Sequence, residues 1–282
     1  MTGWPQTVSM AKLSSPAPQP TPPAFPYPGG KTRLLKHILP LIPEHTTYVE
    51  PFAGGLAVLL AKPRSKHEVI NDVNDDIVLF YRYLRHHPQA LMGELATHFN
   101  SRRDFNDFLN QGTTLTELQR VVQWYVVKLN SYSGMSQMYS RGRYQYGSKF
   151  DRKRDIPRLQ AVSERLNRVV IESQDWEPVV QFHDGPQTFL YLDPPYLVRN
   201  RNAYDPFTLP DIQRLRERLG RVQSSWLLSL NDCPAVREFF SGYAVREITL
   251  RYNINKQRRS HGELLILSPQ LSQGCDGSDE RG

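Results

Sequence analysis

Tyr48-Val49-Glu50-Pro51-Phe52-Ala53-Gly54-Gly55 leads from a predicted strand into the helical pattern Leu56 to Ala61, and about 17 residues later Val69-Ile70-Asn71-Asp72 ends a second strand on a carboxylate. Glycines at such a strand-to-helix turn let the backbone approach a ligand where a Cβ would obstruct it. The spacing to Asp72 is close to the ~20-residue offset at which an acid meets ribose hydroxyls in dinucleotide folds. The turn lacks the three-glycine pyrophosphate fingerprint, and Glu50 at its mouth repels a phosphate but welcomes a sulfonium or an amine. The residues therefore favour S-adenosylmethionine over NAD as the nucleoside held here. A plain βα turn, whose glycines serve only close packing, has the same local pattern.

Outward from this unit, short β-rich runs alternate with helical patterns. The runs are Thr47 to Val49, Glu68 to Asn71, Val169 to Glu172, Thr188 to Leu192, Trp226 to Leu230, Val245 to Arg251 and Leu264 to Leu267. The alternation predicts an α/β fold, a mostly parallel sheet flanked by helices. Between the second and third runs the pattern is helical, at Ile77 to Arg85, Pro88 to Phe99 and Leu115 to Lys128, which places an insertion at 86–167 within a domain formed by 25–85 and 168–270. Residues 1–24, with Pro16, Pro18, Pro20, Pro22 and Pro23, read as a disordered leader, and 271–282 as a flexible tail.

The chain has 282 residues, a formal net charge of +7 and a pI near 9.4, which predicts attraction to polyanions. Two cysteines, Cys233 and Cys275, supply neither a disulfide framework nor a four-thiolate metal site and fit a reducing cytoplasm. No run approaches the ~18 apolar residues of a membrane span. Tyr27-Pro28-Gly29-Gly30-Lys31-Thr32 lacks the Walker A spacing and has no strand before it, which sets ATP hydrolysis aside. A soluble protein without metal or membrane is expected.

Asp193-Pro194-Pro195-Tyr196 follows the apolar run Thr188 to Leu192 directly, so a carboxylate, an imide carbonyl and an aromatic face stand on a stiff turn at a strand's end. The lone pair of adenine N6 is conjugated into the ring, and acceptors on its two protons turn it outward. Asp193 and the Pro194 carbonyl can each take one, aiming the lone pair at a methyl carbon for direct displacement. Tyr196 offers a stacking surface for a base drawn out of the duplex. Cytosine C5 chemistry needs a thiolate, which neither cysteine is placed to supply, and the paired cysteines of zinc deaminases are missing. His86 and His87 read as a solvated face.

The order Tyr27-Pro28-Gly29-Gly30-Lys31, Pro51-Phe52-Ala53-Gly54-Gly55, Asp193-Pro194-Pro195-Tyr196 resembles the Dam-type (D12 class) DNA adenine-N6 methyltransferases. The likeness runs over about residues 25 to 268 and takes in Leu228-Ser229-Leu230-Asn231-Asp232 and Gly262-Glu263-Leu264-Leu265-Ile266. It implies a Rossmann-like S-adenosylmethionine-dependent fold with an inserted helical or hairpin target-recognition region. It also implies a donor pocket with Tyr27, Gly29, Gly30 and Lys31 near the donor, the Glu50 to Gly55 turn beneath it, Asp72 at the ribose and Asp193 alongside. Asp175 resembles the family's acid beside the donor's adenine; as a residue, it equally suits a helix N-cap.

From Arg141 to Arg158 lie Arg141, Arg143, Lys149, Arg152, Lys153, Arg154 and Arg158 against only Asp151 and Asp155, with Tyr132 and Tyr139 just before and Tyr144, Tyr146 and Phe150 within the run. The mixture suits a loop or hairpin that pairs phosphate contacts with stacking, although a charge run is also the mark of a solvated surface. Asn130-Ser131-Tyr132-Ser133-Gly134 resembles the opening of the family's DNA-contacting hairpin, adding Ser133 to the set. Arg199 and Arg201, soon after the catalytic turn, are placed to hold phosphates beside an extruded nucleotide; Arg251, Lys256, Arg258, Arg259 and His261, a second basic stretch before the last strand, either track the DNA backbone as well or form a mobile surface loop. The expected acceptor is double-stranded DNA, the expected protein a monomer of bacterial or phage origin, cytoplasmic at the nucleoid, with a cognate restriction endonuclease as a possible companion. A relative acting on RNA adenine and a catalytically silent DNA-binding homologue are the rival readings.

Overall fold

A computed structural model describes residues 20–97, 115–130, 150–197, 207–254 and 257–275. Seven strands form one sheet: β1 (Thr47–Glu50), β2 (His67–Asn71), β3 (Val169–Glu172), β4 (Thr188–Leu192), β5 (Ser225–Asn231), β6 (Ala244–Ile254) and β7 (Gln257–Leu267). Their order is β3-β2-β1-β4-β5-β7-β6. The first five are parallel, and β7 lies antiparallel between β5 and β6. Each expected run is a strand. The last two reach further than their apolar cores, because the hairpin ladder continues through polar residues from Leu250↔His261 to Ile254↔Gln257. Arg258, Arg259 and His261 therefore lie in a paired strand, against the surface-loop alternative for that stretch, while Arg251 ends its expected run in a strand; Lys256 falls outside the described residues.

Period-two alternation divides the core between the two faces. Tyr48, Ile70, Phe189, Tyr191, Leu227, Leu265 and Leu267 pack on one face, and Val49, Val69, Leu190, Leu192, Trp226, Leu228 and Ile266 on the other. Every residue of β4 is buried, as a central parallel strand covered on both sides requires.

The helices are α1 (Leu35–Ile38), α2 (Ala57–Ala61), α3 (Asp75–His86), α4 (Pro88–Thr97), α5 (Glu117–Asn130), α6 (Arg152–Arg165), α7 (Trp176–His183), α8 (Leu209–Leu219), α9 (Pro234–Phe239) and α10 (Pro269–Cys275). Asn74 caps α3 through the amides of Asp76 and Ile77; acids in its first turn and Arg85 and His86 in its last suit the helix dipole. Helices α4, α5 and α6 come from the expected insertion. Leu91, Leu95, Val121, Tyr125, Leu159 and Val162 join the first-face core with Phe80 and Tyr48, so these helices form a layer on the sheet.

Two expected boundaries move. Thr21 donates to Leu60 at 3.1 Å and Ala24 is buried, because apolar Ala24-Phe25 plugs the first-face core; the fold thus takes in the end of the proline-rich leader. At the other end α10 extends to Cys275, held by buried Leu271, so part of the expected tail is helical. Among the described residues no helix is long and apolar enough to cross a membrane, and no cluster of three His, Cys, Asp or Glu side chains is placed to hold a metal.

Candidate active site

The strand order reverses between β1 and β4, and in open α/β sheets ligands sit outside the carboxyl ends at such a switch point. The alternation that buries apolar residues on the first face runs out there into polar ones. Tyr48 is followed on that face by Glu50, Phe189 and Tyr191 by Asp193, and Leu227 by Ser229 and Asn231. Because β7 is antiparallel, its residue at this edge is Glu263, opposite Asn231. One edge of one face thus collects Glu50, Asp193, Ser229 and Glu263.

The turn after β1 is held on all sides. The Asn71 side chain donates to the Pro51 carbonyl at 2.9 Å and to Gln174 O at 3.0 Å, and its backbone carbonyl accepts from Ala53 at 2.8 Å. Asp72 accepts from the Gly54 amide through Oδ2 and from the Asn74 amide through Oδ1, each at 2.9 Å, while Tyr81 donates to Gly54 O. Burial raises the Asp72 carboxyl against these amide contacts. Gly54 has φ +45°, and a Cβ there would stand 2.9 Å from the Tyr27 ring. What the glycine turn admits so closely is therefore an aromatic side chain of this protein, half-buried Tyr27. Leu56 enters α2 at φ +55°, a left-handed value costing of order 1 kcal/mol, and it is retained by complete burial.

Glu50 is 2% exposed; its Oε1 accepts from Tyr48 OH at 2.5 Å and Leu59 N at 2.7 Å. Oε2 has no partner among the described residues. Burial pushes its carboxyl up to about 7, with the Tyr48 and Leu59 bonds and Lys62 opposing and Asp193 adding.

At the centre sits Lys31, 2% exposed. Its ammonium donates to Gly29 O at 3.0 Å, Asp193 Oδ1 at 2.5 Å and Tyr196 OH at 3.2 Å, and lies 3.3 Å from Glu263 Oε1. Gly29 reaches this position at φ +74°, and Gly30 N closes the turn on Tyr27 O at 3.0 Å. Burial works to lower the lysine, but Asp193, Tyr196 and Glu263 overcome it and hold the ammonium protonated. Burial likewise lifts the Asp193 carboxyl to about 6, with Lys31 pulling down and Glu263 pushing up. Tyr196 OH donates to Glu263 Oε2 at 2.8 Å, and Ser229 Oγ to Oε1 at 2.6 Å. Of the Asp193–Tyr196 turn, Pro194 is buried and Pro195 exposed. The sequence reading put Lys31 beside the donor; the structure places its ammonium on the Asp193 carboxylate.

Phe52 lies 6.1 Å from Trp176 and 6.0 Å from Phe207, forming an aromatic wall at the end of β1. Asp175 adopts its capping role, accepting from Glu177 N at 2.9 Å and pairing with Arg214 at 2.8 Å. Of the proposed DNA contacts, Tyr132, Ser133, Arg141, Arg143, Tyr144, Lys149, Arg199 and Arg201 lie outside the described residues, as do Tyr139 and Tyr146. Arg152 and Lys153 are exposed on the first turn of α6, a helix where a loop or hairpin was expected, capped by Asp151. Arg154 and Arg158 pair with buried Asp155, and Phe150 is buried against Tyr125 rather than offered to a base. Sequence reasoning gave no role to Glu263, Ser229, Trp176 or Phe207. For Glu263 a signal existed: a single acid inside the apolar run Leu264 to Leu267 and its flank.

A doubly wound α/β sheet with acids gathered at its switch point defines a Rossmann-like enzyme of the methyltransferase fold. The family model described as D12 class N6 adenine-specific DNA methyltransferase matches residues 27–254, and the chain belongs to that family. It is similar to the type II methyltransferase M.MjaIII of Methanocaldococcus jannaschii, 26% identical over 87% of this chain and 98% of that protein. It is 27% identical to the type II methyltransferase M1.LlaDCHI of Lactococcus lactis subsp. cremoris, over 84% and 90%. A DNA adenine methylase of Vibrio cholerae is 24% identical over 86% and 95%.

Proposed function

We propose that this DNA adenine-N6 methyltransferase takes its methyl group from S-adenosylmethionine and acts on an adenine drawn out of double-stranded DNA, with Asp193 and the Pro194 carbonyl accepting the two N6 protons. The observation behind this is the division of labour on Asp193: Oδ1 is taken by Lys31, and Oδ2 has no partner among the described residues. A carboxylate with one oxygen anchored and the other presented toward the partly open edge is pre-organised to accept from an amino group.

The residues present suit the donor. Oε2 of Glu50 is available to an amine, the lone-pair positions left on Asp72 suit ribose hydroxyls, and Phe52, Trp176 and Phe207 provide a flat apolar wall for a purine. Bound there, the donor supplies a methyl carbon on a sulfonium. Asp193 turns the N6 lone pair toward that carbon, and the N6–C bond forms as the S–C bond breaks. N6 then gives up one proton, which Asp193, lifted to about 6, is able to accept and pass to solvent. Tyr196, tethered by its hydroxyl, provides a fixed ring beside the base. Exposed Arg152 and Lys153, with the basic residues around them, suit the phosphates of the duplex.

The domain division proposed is a catalytic part at 20–85 and 168–275, with 86–167 as the target-recognition region built on it. A monomer working at the nucleoid in the cytoplasm, alone or with a cognate endonuclease, is the corresponding cellular reading.

The test is Asp193→Ala, assayed with tritiated donor and unmethylated DNA and, separately, by equilibrium binding of S-adenosylmethionine. Transfer is expected to fall by at least about 1,000-fold with donor binding retained. Turnover near wild type would remove Asp193 from this role. Mapping the modified bases by long-read sequencing identifies the recognition sequence.

A further inference from the structure

We propose that Glu263 is a positioning residue for methyl transfer: from β7 it shares the Lys31 ammonium with Asp193 and tethers Tyr196, keeping Asp193 Oδ2 directed at the base. The inference rests on the acceptor role of Asp193 given above.

Glu263 is buried, 4% exposed, and both its oxygens are engaged, Oε1 by Ser229 and Lys31 and Oε2 by Tyr196. Its backbone is paired opposite Asn231 in the ladder of β5 and β7, so the carboxylate is borne on rigid structure. A buried ammonium facing a single carboxylate would draw it in fully and quench it as an acceptor. Glu263, 3.3 Å from Lys31 Nζ against 2.5 Å for Asp193, divides that attraction. It also gives Lys31 a second counter-charge, so the lysine is not left as an unpaired buried cation when N6 competes for Asp193. Through Tyr196 the same carboxylate fixes the ring that lies 4.9 Å from the ammonium.

The charged and titratable groups facing Asp193 are Lys31 from the N-terminal turn, Glu50 from β1, Tyr191 from β4, Tyr196 from the catalytic turn and Glu263 from β7. Glu263 raises the Asp193 carboxyl and Lys31 lowers it. Neutralising each should move the acid limb of the kcat–pH profile in opposite directions, which a residue that merely supports the fold would not do.

The experiment measures kcat, donor KM and the pH profile for wild type, Glu263→Gln, Lys31→Gln and Asp193→Ala, with thermal midpoints recorded in parallel. For Glu263→Gln the expectation is a kcat lower by roughly 10- to 100-fold, donor KM within about threefold of wild type, and an acid limb displaced to lower pH by about half a unit or more. In Lys31→Gln the limb moves to higher pH. Wild-type kcat and an unmoved limb in Glu263→Gln, with Asp193→Ala inactive, overturn the role of Glu263 alone; an active Asp193→Ala overturns the acceptor role beneath it. Should Glu263→Gln not fold, Glu263→Asp decides: it keeps the charge and shortens the reach by one methylene, so kcat falls with the limb in place, and undiminished kcat overturns the proposal.

Discussion

Burial lifts the Glu50 carboxyl from 4.5 to about 7, in spite of the bonds from Tyr48 and Leu59 that favour its ionised form. A group raised in the folded state binds its proton more tightly there than in the unfolded chain, so its contribution to stability is full below about 4.5 and is lost as pH rises through about 7. Glu50→Gln keeps both hydrogen bonds and removes the charge. It should be more stable than wild type at pH 8, on the order of 3 kcal/mol at most, and equal to it near pH 4; thermal melts at the two pH values check this. The same carboxylate is proposed to meet the donor's amine, so wild-type donor affinity should strengthen from pH 6 to pH 8 and this strengthening should vanish in Glu50→Gln, as titration calorimetry would show. At this scale the sequence was half legible. Glu50 and Asp193 stand out because each ends a strand on a charge, whereas the attachment of Lys31 to Asp193 depends on where a turn some 160 residues upstream comes to rest.

The glycine turn and the start of α6 are the two elements whose behaviour is most open to test. In Gly54→Ala the added methyl meets the Tyr27 ring at 2.9 Å and the backbone is held at φ +45°, so the turn or the ring must give way. A loss of about 1–3 kcal/mol should appear in denaturant unfolding, together with weakened donor binding. In α6, Arg152→Glu with Lys153→Glu places acids in a first turn already capped by Asp151, where the helix dipole favours them. The thermal midpoint should therefore hold or rise while DNA affinity falls and the salt slope flattens by about 1–2 units in log–log form; an unchanged slope would assign these residues to solvent. At α3 and α5 the existence of a helix was legible from apolar spacing. The expectation of a loop through Arg152 to Arg158 failed because the basic residues drew attention from Leu159 and Val162, which face the core, and from the capping Asp151.

Across the whole molecule, the inserted helices and the sheet share one core, and a buried ion network binds them as well. Arg165 of α6 forks onto Glu68 of β2 at 2.6 and 2.8 Å, and Lys62 reaches the same carboxylate at 2.7 Å. Arg165→Met should cost about 3 kcal/mol and lower a single calorimetric transition, since catalytic and inserted parts are expected to unfold together; two separate transitions would contradict a common core. The seven strands and their sequence could be read from apolar runs, but the insertion of β7 between β5 and β6 could not, because Leu264 to Leu267 is continuously apolar and buried like the parallel strands. That strand has a consequence for biosynthesis. Lys31 and Asp193 both precede Glu263 in the chain, so during synthesis the ammonium and its first carboxylate are made before the second counter-ion that divides the attraction between them. A chain that has not yet added β7 is thereby expected to transfer methyl groups more slowly than the finished fold.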